Sequence, residues 1–141
     1  MTKLELLEAD LVRDEGECLH AYSDSLGYWT IGVGRLIDAR KGGGISREES
    51  RYLLQNDIKA VLDDLLTFPW YLGLDGVRKR AIANMRFQLG GKTFRSFKAT
   101  LAAIEAGDYV KAADQMRKSK WYTQTPKRCE RVARMIATGD A

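Results

Sequence analysis

Scarcity is the first information in this chain: among 141 residues there are two cysteines, two prolines and one histidine. There is no CxxC and no His/Cys cluster, so a zinc site is not expected, nor is another metal or cofactor. Cys18 and Cys129 are a lone pair in a chain without an export signal, and two free thiols are expected rather than a bridge. No apolar run approaches the roughly 20 residues that cross a bilayer, which excludes a transmembrane helix. The opening MTKLELLEADLVRDEG has neither the apolar core nor the cleavage site of a signal peptide. The chain is therefore expected to be made in a cytoplasm, and a role beyond it needs another way out. Few prolines and no low-complexity run argue against disorder.

What is present fits one ordinary domain, or two small lobes sharing a helix. Hydrophobic residues make up 45% and charged residues 30% of the chain, a globular balance. The net charge of +4 hides an asymmetry: residues 1–64 hold 8 basic and 13 acidic side chains, whereas residues 65–141 hold 15 and 6. The C-terminal part should present a positive field to a polyanion, either nucleic acid or an anionic bacterial envelope.

Along the chain, Thr2-x-x-Glu5 has the form of a capping box, and Leu4, Leu7, Leu11 and Val12 then share one helical stripe. This helix is predicted to reach about Asp14, with Gly16 as its stop. Asp14, Glu15 and Glu17 stand where the helix dipole is negative, a placement that costs a few tenths to about 1 kcal/mol per charge. Ser23–Gly27 is turn chemistry, and Tyr28–Val33 reads as a strand with Trp29, Ile31 and Val33 on one face and Thr30 on the other. Gly32-x-Gly34 is not a dinucleotide loop, because Ile37 occupies the third glycine position and no parallel-sheet pattern follows. Lys41–Gly44 is predicted to be a flexible loop. Ser46-x-x-Glu49 opens a second helix to about Leu66, with Leu54, Ile58, Val61, Leu62 and Leu65 as its stripe. From Asp75 all is helical: Val77, Ala81, Met85 and Leu89 repeat up to Gly90-Gly91, with Asn84 and Gln88 as an i, i+4 amide pair on a neighbouring face. Helices at about 93–105 and 108–118 follow, and Thr125-Pro126 starts a last one with Cys129, Val132, Ala133 and Ile136 inward.

Glu15 and Asp24 are the candidate chemistry. Glycoside hydrolysis uses two carboxyls on separate elements: one protonates the leaving oxygen, and the other stays ionised to activate water or attack the anomeric carbon. By spacing alone, two solvated acids among the 19 of the chain is the favoured reading. The unfavourable position of Glu15 weighs towards function, since local-rule violations concentrate at sites. Asn84 and Gln88 suit sugar amides and hydroxyls, or simple exposure. The run Lys118–Arg134 interleaves basic residues with Trp121 and Tyr122, which reads either as a nucleic-acid patch or as a solvated helix face.

With those residues in place, the chain resembles the T4-type phage lysozymes, the endolysins of glycoside hydrolase family 24. The family pattern of Glu, eight residues, Asp, five residues, Thr is met by Glu15, Asp24 and Thr30 within DEG…YSDSLGYWTIGVG. The Asn-Met-x-Phe-Gln run at Asn84–Gln88, the Lys-Ser-x-Trp-Tyr-x-Gln-Thr-Pro run at Lys118–Pro126, and Arg128 agree in order and spacing. The resemblance, which extends from about Leu4 to Gly139, implies an α+β, mostly α, two-lobed lysozyme-like fold. An N-terminal lobe (about 14–45) would carry a small antiparallel sheet, and a linking helix (about 46–66) would join it to a helical C-terminal lobe (about 67–141). The first helix would pack on that second lobe, and peptidoglycan would lie in the cleft between the lobes.

It further implies a muramidase cutting the β-1,4 bond between MurNAc and GlcNAc, with Glu15 as general acid and Asp24 and Thr30 holding the attacking water. Inversion would require carboxyls about 6.5–9.5 Å apart. Leu36, Asn84, Phe87, Gln88, Thr100 and Gln115 would contact saccharide, and Arg128 would lie near Glu15. Arg35 stands where the family often has histidine, and Asp57 matches its acid, so an Arg35–Asp57 ion pair is predicted. The implied partners are peptidoglycan and a separate holin-type protein that admits a monomeric enzyme to the periplasmic wall, with no nucleic acid and no membrane among them. A lytic transglycosylase, a wall-binding module and a nucleic-acid binder are the rival classes; Asp24 and Thr30, able to place water, argue against the first.

Overall fold

The computed structural model describes residues 2–141, and the chain divides into two compact units, Met1–Tyr52 and Leu53–Ala141. In the first unit, helix α1 (Lys3–Glu15) begins at the predicted capping box. The Glu5 N–H donates to Thr2 Oγ1 at 3.1 Å, and the Thr2 N–H donates to Glu5 Oε2 at 2.7 Å. Gly16, at φ +74°, ends it by donating to the Val12 carbonyl at 2.9 Å. Glu15 is thus the last helical residue, one beyond the expected end.

Three antiparallel strands follow in the order β1 (Cys18–Ser23), β2 (Trp29–Gly32) and β3 (Arg35–Leu36). Thr30 on the central strand faces Tyr22 on one side and Leu36 on the other, with a register shift in β1 between Cys18 and Tyr22. On β2, Trp29 of the apolar face is 52% exposed, whereas Thr30 on the opposite face is buried at 3%. The polar residue is tolerated there because its hydroxyl donates to the Tyr28 carbonyl at 3.2 Å.

The glycine run after β3 is folded back on itself rather than left loose, contrary to the sequence reading. Gly43 N–H donates to the Arg40 carbonyl and Gly44 N–H to the Leu36 carbonyl, each at 2.9 Å. A Cβ at Gly43 would run into the Asp38 carbonyl, so glycine serves close approach here. Helix α2 (Arg47–Leu65) opens with the second predicted capping box, Ser46 with Glu49, and runs through the division between the units.

The second unit is helical: a 3-10 turn at Tyr71–Gly73, then α3 (Gly76–Ser96), α4 (Lys98–Glu105), α5 (Tyr109–Arg117), α6 (Lys120–Gln124) and α7 (Pro126–Thr138). Gly90, at φ +78° and ψ 162°, interrupts α3 where the sequence placed a helix end, and the chain resumes helix beyond it. The predicted inward stripe of α7, Cys129, Val132, Ala133 and Ile136, is at most 1% exposed. It packs on α3 and α5, whose buried residues include Met85 and Met116. Burial pushes the Cys129 thiol up to about 11, so it stays protonated and behaves as a small hydrophobe.

Asp64, near the end of α2, anchors that helix to α3. It accepts from Arg86 Nε at 2.6 Å and from both Arg95 Nη atoms at 2.7 and 3.0 Å. The Arg95 and Arg86 guanidiniums hold its carboxyl down at about 2, from 3.8. Because the folded-state value is depressed, the stabilisation is present above pH 3.8 and is lost as pH falls towards 2. Asp64→Asn is expected to lower stability at pH 7 by about 1–3 kcal/mol. Urea denaturation should show the gap to wild type closing between pH 4 and pH 2.

Candidate active site

The residues singled out in Asp14–Gly34 form two separate contacts within the first unit, Glu15 with Gly34 and Asp24 with Thr30 through the Tyr28 carbonyl. The turn after α1 and the turn between β2 and β3 bring Glu15 against Gly34. A Cβ built on Gly34 would stand 3.0 Å from Glu15 Oε2 and 3.2 Å from its carboxyl carbon, and Gly34 has φ +69°. Glycine is needed there twice over, for the left-handed backbone and for the space the carboxyl occupies.

Asp24 folds the β1–β2 turn. Its Oδ1 accepts from the Leu26 and Tyr28 N–H groups, each at 2.9 Å, while its own N–H donates to the Tyr28 carbonyl at 2.8 Å. Its Oδ2 accepts from Arg40 Nη2. The Tyr28 and Leu26 N–H groups, with the Arg40 guanidinium, hold the Asp24 carboxyl below the usual carboxylate range. Asp24 is therefore ionised at neutral pH and suited to accept protons or hold water, not to act as an acid. Thr30 meets it at one point: the Tyr28 carbonyl that accepts the Asp24 N–H also accepts the Thr30 hydroxyl. With its proton committed, the Thr30 oxygen presents lone pairs.

Arg35 takes a different partner from the one expected. It pairs with Glu49 at 2.7 Å, not with Asp57, and also donates to the Gly44 carbonyl at 3.2 Å. Glu49 was already recruited by the Ser46 capping box, which holds its carboxylate at the start of α2 beside β3, a coincidence that residue spacing does not reveal. Arg35 and the Ser46 N–H and hydroxyl hold Glu49 down to about 2, from 4.5. Arg35 is always charged, so the stabilisation has no histidine-like dependence near neutrality. It is present above pH 4.5 and falls away as pH drops towards 2. Glu49→Gln should remove that acid limb from the stability profile of the chain.

In the second unit, Asn84 and Gln88 do not pair with each other. Arg128 Nε donates to Asn84 Oδ1 at 2.9 Å. Both residues line an apolar groove of about 790 Å³ with Phe87, Ile58 and Leu62. Gln88 is occupied internally: Trp121 Nε1 donates to its Oε1 at 2.9 Å, and its Nε2 donates to Thr125 Oγ1 at 3.0 Å. That amide ties α6 and the start of α7 to α3, a part the sequence reading did not give it. Thr100 and Gln115 line a second cavity of about 460 Å³ with Phe97, Trp121, Lys98 and Lys118. Thr100 is itself buried at 2%. Leu36 pairs with Thr30 across β3 and β2. Arg40 was missed altogether, because nothing in its neighbourhood marks a loop arginine as the partner of an aspartate 16 positions earlier. Among the described residues no cluster of side chains suited to a metal ion occurs.

Among the described residues, seven α-helices and one small antiparallel sheet make this an α+β fold of the lysozyme type. The sequence profile of the phage lysozyme family matches residues 12–134. A probable T4-type lysozyme of Dictyostelium discoideum is 35% identical, over 89% of this chain and 90% of that protein. An endolysin of Salmonella phage P22 is 34% identical over 74% and 73%, respectively. A peptidoglycan hydrolase of Pseudomonas phage phiKMV is 30% identical over 83% of this chain and 13% of that protein. The chain belongs to the phage lysozyme family, and thereby to the lysozyme-type hydrolases of the bacterial cell wall.

Gly34→Ala tests the close approach to Glu15. A left-handed backbone costs a non-glycine residue roughly 1–2 kcal/mol, and the added methyl must displace the carboxyl. Chemical denaturation should show a loss of that size, and the Glu15 side-chain carboxyl resonance should shift. An unshifted resonance would mean that Gly34 does not shape the Glu15 position.

Proposed function

We propose that the protein is an endolysin-type muramidase that hydrolyses the β-1,4 bond between MurNAc and GlcNAc in peptidoglycan, with inversion at the anomeric carbon. The observation that carries the reading is the construction of the first unit. One carboxyl is set against glycine at a helix end, and a second, held ionised, shares a carbonyl with a threonine hydroxyl. Glu15 gives its proton to the glycosidic oxygen as the bond from that oxygen to the anomeric carbon breaks. A water held by Asp24 and the free lone pairs of Thr30 forms the new bond to that carbon, and its proton passes to Asp24. Asp24 then releases that proton to solvent and solvent returns one to Glu15, so that both carboxyls are restored and one water is consumed per bond cut.

The names of the relatives support the substrate: an endolysin, a peptidoglycan hydrolase and a T4-type lysozyme. Asn84, Phe87 and Arg128, which share a groove on the second unit, are the saccharide contacts this reading favours, with Leu36, Thr100 and Gln115 as further contacts. No described helix is long and apolar enough to cross a membrane. Host-cell lysis in this reading is performed by a monomer, made in the cytoplasm and admitted to the periplasmic wall by a separate holin-type protein.

Lysis of Gram-negative cells stripped of their outer membrane, followed as turbidity, tests the proposal. Wild type should clear the suspension, and Glu15→Gln should slow clearing by at least about a hundredfold. Mass analysis should find hydrated reducing ends. Anhydro ends would transfer the protein to the lytic transglycosylases, and equal clearing by the Glu15→Gln variant would remove Glu15 as the acid.

A further inference from the structure

The described site leaves one cation unexplained. Arg40 lies in the loop between β3 and α2, yet its guanidinium is drawn into the turn that Asp24 folds. Nη2 pairs with Asp24 Oδ2, and the guanidinium carbon stands 3.9 Å from the centre of the Tyr28 ring. The two side chains of the pair are only 27% and 23% exposed. Arg40 Nε is buried and has no hydrogen-bond partner. Ala39, just before it, is the one described non-glycine residue at positive φ, at +23°. A surface ion pair made for stability alone does not require a strained neighbour and an unsatisfied buried donor. Their presence indicates that the position of the guanidinium is what is being held.

The reason lies in the lone pairs of the carboxylate. An ionised carboxylate has about four acceptor directions. Two at Oδ1 are filled by the Leu26 and Tyr28 N–H groups, and one at Oδ2 by Arg40. A single direction at Oδ2 is left. The stacking of Arg40 on Tyr28 fixes the plane from which it donates, and so fixes where the remaining direction points.

We propose that Arg40 is a positioning residue for Asp24: by occupying one face of Oδ2, it leaves one defined direction for the attacking water. The inference rests on the reading of Asp24 as the residue that holds that water. Arg40 touches no reacting atom and acts through the carboxylate alone. Loss of its charge and stack should therefore impair the chemical step while leaving substrate affinity in place, since misplacing a reacting group by about 1 Å can cost on the order of a hundredfold in rate.

The test is a mutant cycle on soluble linear peptidoglycan fragments, with folding checked by circular dichroism. Arg40→Met is expected to lower kcat by about tenfold or more with KM within about twofold of wild type, and Arg40→Lys to recover part of the loss. In Asp24→Asn the further change Arg40→Met should have no additional effect, because the group it acts through is already gone. If Arg40→Met does not fold, Arg40→Gln, which keeps a planar donor without the charge, is read by the same criteria. An unchanged kcat, a raised KM with kcat kept, or a loss that multiplies onto that of Asp24→Asn would each overturn the inference. Wild-type rates in Asp24→Asn would instead remove the role of Asp24 itself, and the inference with it. An inactive Asp24→Asn beside a normal Arg40→Met would sink the inference alone.

Discussion

The first unit depends on a single carboxylate. Asp24 accepts two backbone N–H groups across the β1–β2 turn and one guanidinium from the following loop, which also stacks on Tyr28. Both strands of the hairpin take their register from that turn, and Thr30 sits where it does because Tyr22 pairs with it two residues before Asp24. The group that folds the hairpin is thus the one we propose to hold the water. Both uses need the same charge state: a carboxylate satisfied by backbone donors and an arginine remains ionised.

A second constraint is steric. Glu15 ends a helix, where the macrodipole disfavours it, yet its carboxyl is received at a backbone position without a side chain. Gly34 is left-handed and close, so neither residue is freely exchangeable. The second unit solves a different problem, that of holding several short helices on one core. Here α7 supplies a continuous apolar face, while two polar ties, Asp64 with Arg86 and Arg95, and Gln88 with Trp121 and Thr125, fix α2 and α6 to α3. Each tie satisfies polar groups that would otherwise be costly to bury.

Local signals were legible in the sequence because local physics produces them. Capping boxes at Thr2 and Ser46, the proline at the start of α7 and the turn at Ser23–Gly27 involve residues within four positions of each other, and the inward stripe of α7 repeats over steps no longer than that. The catalytic candidates Glu15, Asp24 and Thr30 were legible as a spacing, and the family resemblance gave that spacing a meaning that residue chemistry alone left open.

What spacing could not supply was the choice among partners of like charge. Arg35 had Glu49 and Asp57 available, and only the folded backbone, which sets the capping-box carboxylate of Glu49 beside β3, decided for Glu49. The same holds for Arg40 on Asp24, for the internal use of Gln88, and for the burial of Thr30 in place of Trp29. The chain by itself marked the starts of α1, α2 and α7 and the residues able to bear chemistry, because those signals come from neighbours along the backbone. Tertiary structure alone decided which charges meet and which side chains are covered, because ion pairs and burial are set by distances in space that sequence separation does not encode.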